Sequence, residues 1–213
     1  MPYGFLDIAA TPSVKAAQEA NGSRKLFEDF DQDRVFDRLG PAEVAYIAER
    51  DSFYLASASE TGWPYVQHRG GPPGFLRVLD EKTLAFADFR GNRQYISLGN
   101  VTANDRVALI LMDYPNRARM KIYARIEVRD LAGDPELALI LALDGYPARV
   151  ERAFMLHLEA FDWNCAQHIT PRFTQGQVDD ALQPVRARMA ALEAENQALR
   201  ARLAAIARDG EPL

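Results

Sequence analysis

The feature that most constrains the fold is the stretch from Arg117 to Val128, where polar, mostly cationic residues alternate with apolar ones. Arg117, Arg119, Lys121, Tyr123 and Arg125 fall on one side of an extended chain, and Ala118, Met120, Ile122, Ala124 and Ile126 on the other. A period of two held this long is a strand with one buried face and one strongly cationic face. Four shorter runs precede it: SFYLASAS (52–59), PYVQHR (64–69), TLAFAD (83–88) and RVALILM (106–112). Each is rich in aromatic or β-branched residues, the composition of strands. Glu60-Thr61-Gly62 predicts a hairpin, and Gly70-Gly71-Pro72-Pro73-Gly74 a wider bend. RVALILM shows no polar alternation and is expected to be buried on both faces. Strands at this spacing make an antiparallel barrel or meander.

Helical signals flank these strands. Thr11-Pro12 opens a helix that Gly22 closes, and Gly40-Pro41 opens a second running through Glu49. Asp134-Pro135 caps PELALILAL, a helix ending near Gly145, and Pro147 opens another to about Phe161 that carries His157 on an amphipathic face. The fold class expected is mainly β with flanking helices, α+β: an N-terminal helical arm over 1–40, a barrel with helices over 41–174, and a C-terminal helix over 175–213.

That last segment carries a second pattern. Leu182, Val185, Met189, Leu192, Asn196, Leu199, Leu203 and Ile206 are spaced alternately by three and four residues, the a/d seam of a coiled coil. Asn196 falls at an a position, where a buried amide pairs with its twin and favours a parallel dimer. In that register Arg188 at g faces Glu193 at e of the other strand, and Glu195 faces Arg200. The other reading is a single amphipathic helix packed on its own domain.

Composition narrows the class. With 213 residues, 48% of them apolar, one principal core is expected, and 25 basic against 30 acidic residues give a formal charge of -5. That balance argues against a nucleic acid or an anionic membrane as partner. The opening MPYGFLDIAATPSVKAAQ lacks the basic and apolar blocks of a secretory signal, so a cytoplasmic location is expected. The one cysteine, Cys165, makes no intrachain disulfide, and His68 and His168 lack metal-ligand spacing, so no metal is expected.

The stretch from Gly62 to Val107 carries the chemistry. In GWPYVQHRGG, Tyr65, Gln67 and Arg69 share one face of a strand that ends in paired glycines. AFADFRGNRQYISLGN leaves a strand at Asp88 and enters a helix at about Gly91 to Asn92, running from Arg93 to Asn100. Free amides at a helix start, with Arg90 and Arg93 beside them, suit a phosphate dianion; otherwise the two arginines are solvated on an exposed turn. FDWNCAQHITPRF (161–173) gathers Trp163, Asn164, Cys165, Gln167, His168 and Arg172 in an expected loop. Trp163 there either faces a ligand or plugs the core.

The order strand, G-x-P, strand, small-polar-Arg helix start and N-x-R-V-A-L over residues 41–130 resembles the split-barrel FMN-binding proteins of the pyridoxamine 5'-phosphate oxidase-like superfamily. The resemblance implies an antiparallel split barrel forming a homodimer, with FMN at the shared interface, or the deazaflavin F420 in its place. It places Gln67, His68, Arg69 and Gly70 along the ring and ribityl chain, Ala87 and Asp88 at the ring edge, and Asn92, Arg93 and Gln94 at the phosphate. Gln94 stands where the family usually has a lysine, so Arg90 or a cation of the Arg117 to Arg125 face is expected to supply the missing charge. The C-terminal loop would close the other subunit's site, with Trp163 against the ring. The Arg-x-His pair of true pyridoxamine phosphate oxidases has no counterpart here. The implied activity is a flavin-dependent oxidation or reduction of a small molecule, with no acid or base required of the protein; the alternative is a non-catalytic flavin, F420 or haem binding protein.

Overall fold

The structure is a computed structural model and describes residues 4–27, 36–164 and 166–209. The chain divides into two units, one ending at Ile169 and one beginning at Thr170. The first opens with helices α1 (Phe5–Ala9) and α2 (Pro12–Ala20), the latter capped by the Thr11 hydroxyl, which accepts from the Val14 amide. Helix α3 (Pro41–Ala48) follows, begun by a proline at its first turn as expected.

Seven strands make one sheet: β1 (Ser52–Ala58), β2 (Pro64–Gly70), β3 (Arg77–Asp80), β4 (Thr83–Phe89), β5 (Arg106–Asp113), β6 (Ala118–Arg129) and β7 (Val150–Asn164). Helix α4 (Ile96–Ala103) joins β4 to β5, and α5 (Pro135–Ile140) lies between β6 and β7. The strand order is β2-β1-β5-β6-β7-β4-β3, every pair antiparallel. In a flat sheet β1 and β4 would lie four strand spacings apart, about 19 Å. Instead the rings of Phe53 on β1 and Phe86 on β4 lie 5.2 Å apart, and Arg69 on β2 reaches Asp88 on β4 at 2.6 Å. The sheet curls on itself, and its inner face packs Phe53, Leu55, Phe86, Leu111, Met120, Ile122, Phe154 and Leu156, all essentially inaccessible to solvent. Each contributes roughly 1.5–3 kcal/mol by leaving water. The bend after β2 needs glycine: a Cβ on Gly71 would sit 2.7 Å from the Phe75 ring.

Several expectations are corrected. Residues from Val150 onward form the longest strand of the sheet, not a helix. Phe154, Leu156 and Leu158 alternate on the inner face, but Val150, Phe154 and Phe161 also satisfy helical spacing, and only the ladders to β6 and β4 decide between the two. Phe161 to Asn164 therefore belong to a strand rather than a loop, and His157 stands half-exposed on β7 beside Glu127. β5 is not buried on both faces: Ala108, Ile110 and Met112 alternate with fully buried neighbours and keep partial exposure. Arg117 sits in the turn before β6 at a left-handed φ of 53°, α5 stops at Ile140 rather than near Gly145, and α4 begins at Ile96 rather than at Arg93. β3, four residues long, has no counterpart among the runs recognised in the sequence.

The second unit is one helix, α6 (Gln175–Asp209). Its seam residues are exposed, from 40% at Leu182 to 67% at Ile206. Among the described residues, no helix is long and apolar enough to cross a membrane.

Candidate functional site

A cavity of about 190 Å³ opens where β2, β4, β7 and the segment leading into α4 converge. Its walls include Gln67, Arg69, Asp88, Asn92, Arg93 and Gln94, residues the sequence singled out from two separate stretches. The pleat explains the convergence. On β2 the odd positions Tyr65, Gln67 and Arg69 point to the cavity, and on β4 Asp88 follows Leu84 and Phe86 along the inner face.

The backbone from Arg93 to Tyr95 is unusual. Arg93 has φ 60° and Tyr95 has φ 53°, with Gln94 between them on the negative side. Left-handed conformations are uncommon for residues with a Cβ, and alternation in the sign of φ turns successive amides toward one concave side, the habit of anion-binding loops. The Asn92 side chain steadies the turn by accepting from the Gln94 amide at 3.1 Å. Ile96, Ser97 and Leu98, the first turn of α4, complete this wall and bring the positive end of the helix to the cavity. Ser97 donates to Gln67 Oε1 at 2.6 Å, fixing the side-chain amide on β2.

Charge is concentrated here. Arg69 pairs with Asp88 at 2.6 Å, and Asp88 also lies 3.7 Å from Arg152 on β7. Glu151 holds Arg152 at 3.1 Å and Arg90 at 3.5 Å, and accepts from the Tyr95 hydroxyl at 3.1 Å. Four guanidinium groups, those of Arg69, Arg90, Arg93 and Arg152, thus stand against the carboxylates of Asp88 and Glu151, leaving two positive charges in surplus. Two buried donors, Arg69 Nε and Arg152 Nη1, have no hydrogen-bond partner. A buried N–H left unmade costs about 1–3 kcal/mol, so the site holds unspent donor capacity. A phosphate-bearing ligand fits this donor set.

Other expected residues lie elsewhere in the protomer. His68 projects from the opposite face of β2 against Tyr54, ring centroids 5.5 Å apart, and Gly70 lies beside it next to Asp51. Ala87 is buried on the other face of β4, in a small core with Leu137 and Leu141. Trp163 packs edge-on against Tyr46 at 4.6 Å and donates to Glu43 at 2.9 Å, so within the chain it plugs the core. Cys165 lies outside the described residues. The cationic face of β6 does not supply the cavity: Lys121 pairs with Asp162 at 3.4 Å, and Arg125 with Asp105 and Glu159 at 3.0 and 2.7 Å. The sequence reading missed Glu151 and Arg152 because it placed them before or on a helix. Read as a strand, VERAF would have set Arg152 on the same face as Phe154.

A sequence profile described as pyridoxamine 5'-phosphate oxidase matches residues 39–146, half of the chain. No curated protein matches. Among solved structures, an FMN-binding protein from Syntrophomonas wolfei is similar at 12% identity and TM-score 0.46, over 72% of this chain and 95% of its own. A FAD-binding protein from Mesorhizobium loti is 18% identical with TM-score 0.41, over 59% and 94%. A protein described as a pyridoxamine 5'-phosphate oxidase from Lactobacillus delbrueckii is 22% identical with TM-score 0.45, over 59% and 94%. The profile spans α3 through α5, the segment that supplies β1 to β6 and both sequence stretches of the cavity, and on that match the chain belongs to the pyridoxamine 5'-phosphate oxidase-like family.

Proposed function

We propose that this protein is an FMN-dependent oxidoreductase acting as a homodimer, with the phosphate end of the flavin held in the cavity between β2, β4, β7 and the start of α4. The observation that carries the reading is the surplus of two positive charges there, which matches a phosphate dianion. Arg93, the amides around it and Asn92 would hold the phosphate, with Arg90 beside them. Gln67, oriented by Ser97, and Arg69, braced by Asp88, would meet the rest of the nucleotide. The bound flavin supplies the transfer of a hydride or of electrons to or from a small molecule. The protein's part is to orient it and to keep water from it.

The cavity's size supports a dimer. Pockets that enclose ligands of drug size measure about 300–1,000 Å³. A volume of 190 Å³ suits the phosphate and ribityl end and leaves the ring to be covered by a second chain. The open seam of α6 suits the same assembly: Leu182, Met189, Asn196 and Leu203 at a, with the Arg188–Glu193 and Glu195–Arg200 pairings, describe a parallel two-stranded coil.

Purified protein should be yellow, its chromophore should have the mass of FMN, and Arg93→Ala should hold it more weakly. Colourless protein that ignores added FMN ends this reading, and a chromophore with the mass of F420 replaces the cofactor. Bound flavin that neither nicotinamide cofactors nor small organic reductants reduce would make the chain a flavin carrier. For the coil, Leu199→Cys in a Cys165→Ser background should crosslink to a covalent dimer on mild oxidation; an antiparallel or unpaired helix leaves it monomeric.

A further inference from the structure

The charge of the cavity depends on a residue that does not line it. We infer that Arg152 is the positioning residue that makes this site selective for a dianionic phosphate end over a neutral one; the inference rests on the flavin-nucleotide reading and deepens it. Arg152 sits directly across the ladder from Asp88, on the same face of the sheet, with its side chain 18% exposed. Its Nη2 lies 3.1 Å from Glu151, its Nη1 lies 3.7 Å from Asp88, and its guanidinium covers the Tyr95 ring at 5.2 Å.

Both carboxylates of the site are therefore shared. Asp88 lies between Arg69 and Arg152, and Glu151 between Arg90 and Arg152. Without Arg152 the carboxylate of Asp88 would balance Arg69 and that of Glu151 would balance Arg90. Arg93 alone would then face the ligand, one positive charge against a dianion. With Arg152 present the surplus is two. Its buried Nη1 has no hydrogen-bond partner, although the guanidinium is ion-paired with both carboxylates. Gln94, at the cavity wall, contributes a neutral amide where a cation would serve the same purpose. The ring contact with Tyr95 adds a geometric role, tying β7 to the left-handed turn that shapes the anion-binding wall.

The test compares a ligand with and without the phosphate. Full-length protein stripped of flavin is titrated with FMN and with riboflavin, following flavin fluorescence, and the ratio of the two dissociation constants is the readout. Loss of a general structural brace weakens both ligands alike and leaves that ratio unmoved. Arg152→Gln should lower the preference for FMN about tenfold or more, the scale of a charge-assisted contact. Arg152→Lys should retain most of it, and Gln94→Lys added to Arg152→Gln should restore it. An Arg152→Gln protein that keeps the wild-type preference, or that loses both ligands in parallel, overturns the assignment of Arg152 alone. Wild-type protein with no preference for FMN over riboflavin shows itself before any substitution, and overturns the phosphate reading together with this one.

Discussion

Two buried charge clusters sit in the same barrel and are built to opposite rules. In the first, Arg50 uses every donor group: Nε donates to the Tyr46 carbonyl at 3.1 Å, Nη1 to the Met112 carbonyl at 3.3 Å, and Nη2 to Glu49 at 2.8 Å. Its partner Asp113, 3.2 Å away, accepts from the amide and the side chain of Asn116. The Tyr46 hydroxyl donates to the Leu111 carbonyl at 3.0 Å, and burial pushes its pKa up to about 12, so it stays neutral. In the second cluster, Arg69 and Arg152 leave Nε and Nη1 unpartnered, and the surplus of charge opens on a cavity. A saturated cluster is a fastening between loops and strands. An unsaturated one beside a void is where a ligand completes the pairing.

Removing one partner from the saturated cluster should give the largest effect. Asp113→Asn removes the buried counter-charge of Arg50 and leaves it only the largely exposed Glu49; it should cost about 3–5 kcal/mol, read as a fall of roughly 10 °C in Tm, with FMN affinity of the folded fraction unchanged. Loss of flavin binding in folded protein would erase the distinction between the clusters. Arg69→Met should cost less stability, about 1–3 kcal/mol, because Asp88 keeps Arg152 nearby, and should weaken flavin binding as well. A variant as stable as wild type that binds FMN normally would remove Arg69 from the site. Arg93→Ala, at an exposed position, should lower FMN affinity about tenfold while Tm moves by a degree or less.

The smallest effect is in acid. Burial alone would raise the Asp113 pKa, but the two Asn116 contacts and Arg50 outweigh it and hold the carboxyl below its ordinary value. Its stabilisation is therefore complete above the unfolded pKa of roughly 4 and is lost as pH falls through the lower folded value. The acid limb of a Tm-against-pH curve should be shallower in Asp113→Asn than in wild type, and identical slopes would deny Asp113 this role.

The sequence was most legible where one period excluded the other. Arg117 to Val128 cannot be amphipathic as a helix, and β6 lies one residue from where it was expected. The site was legible where strand parity and a turn fix direction, which is why Gln67, Arg69 and Asn92 to Gln94 meet at one cavity. β7 was illegible for a physical reason. Its apolar residues satisfy spacings of two and of four at once, and the choice depends on neighbours far away in the chain. That error hid Arg152. Parity likewise separates Ala87 from Asp88 and His68 from Arg69, a distinction that a run of adjacent positions cannot convey.

The place of β7 in the sheet has a consequence for biosynthesis. β4 carries Asp88, yet one of its two neighbours is the last strand to be made. While the ribosome is still producing that strand, β1 to β6 already include nearly every side chain at the cavity, but β4 and β3 have no ladder joining them to the rest. Assembly of the cavity must therefore wait for the end of translation of the barrel, and a chain interrupted before residue 150 would carry most of the cavity's side chains without the means to assemble them.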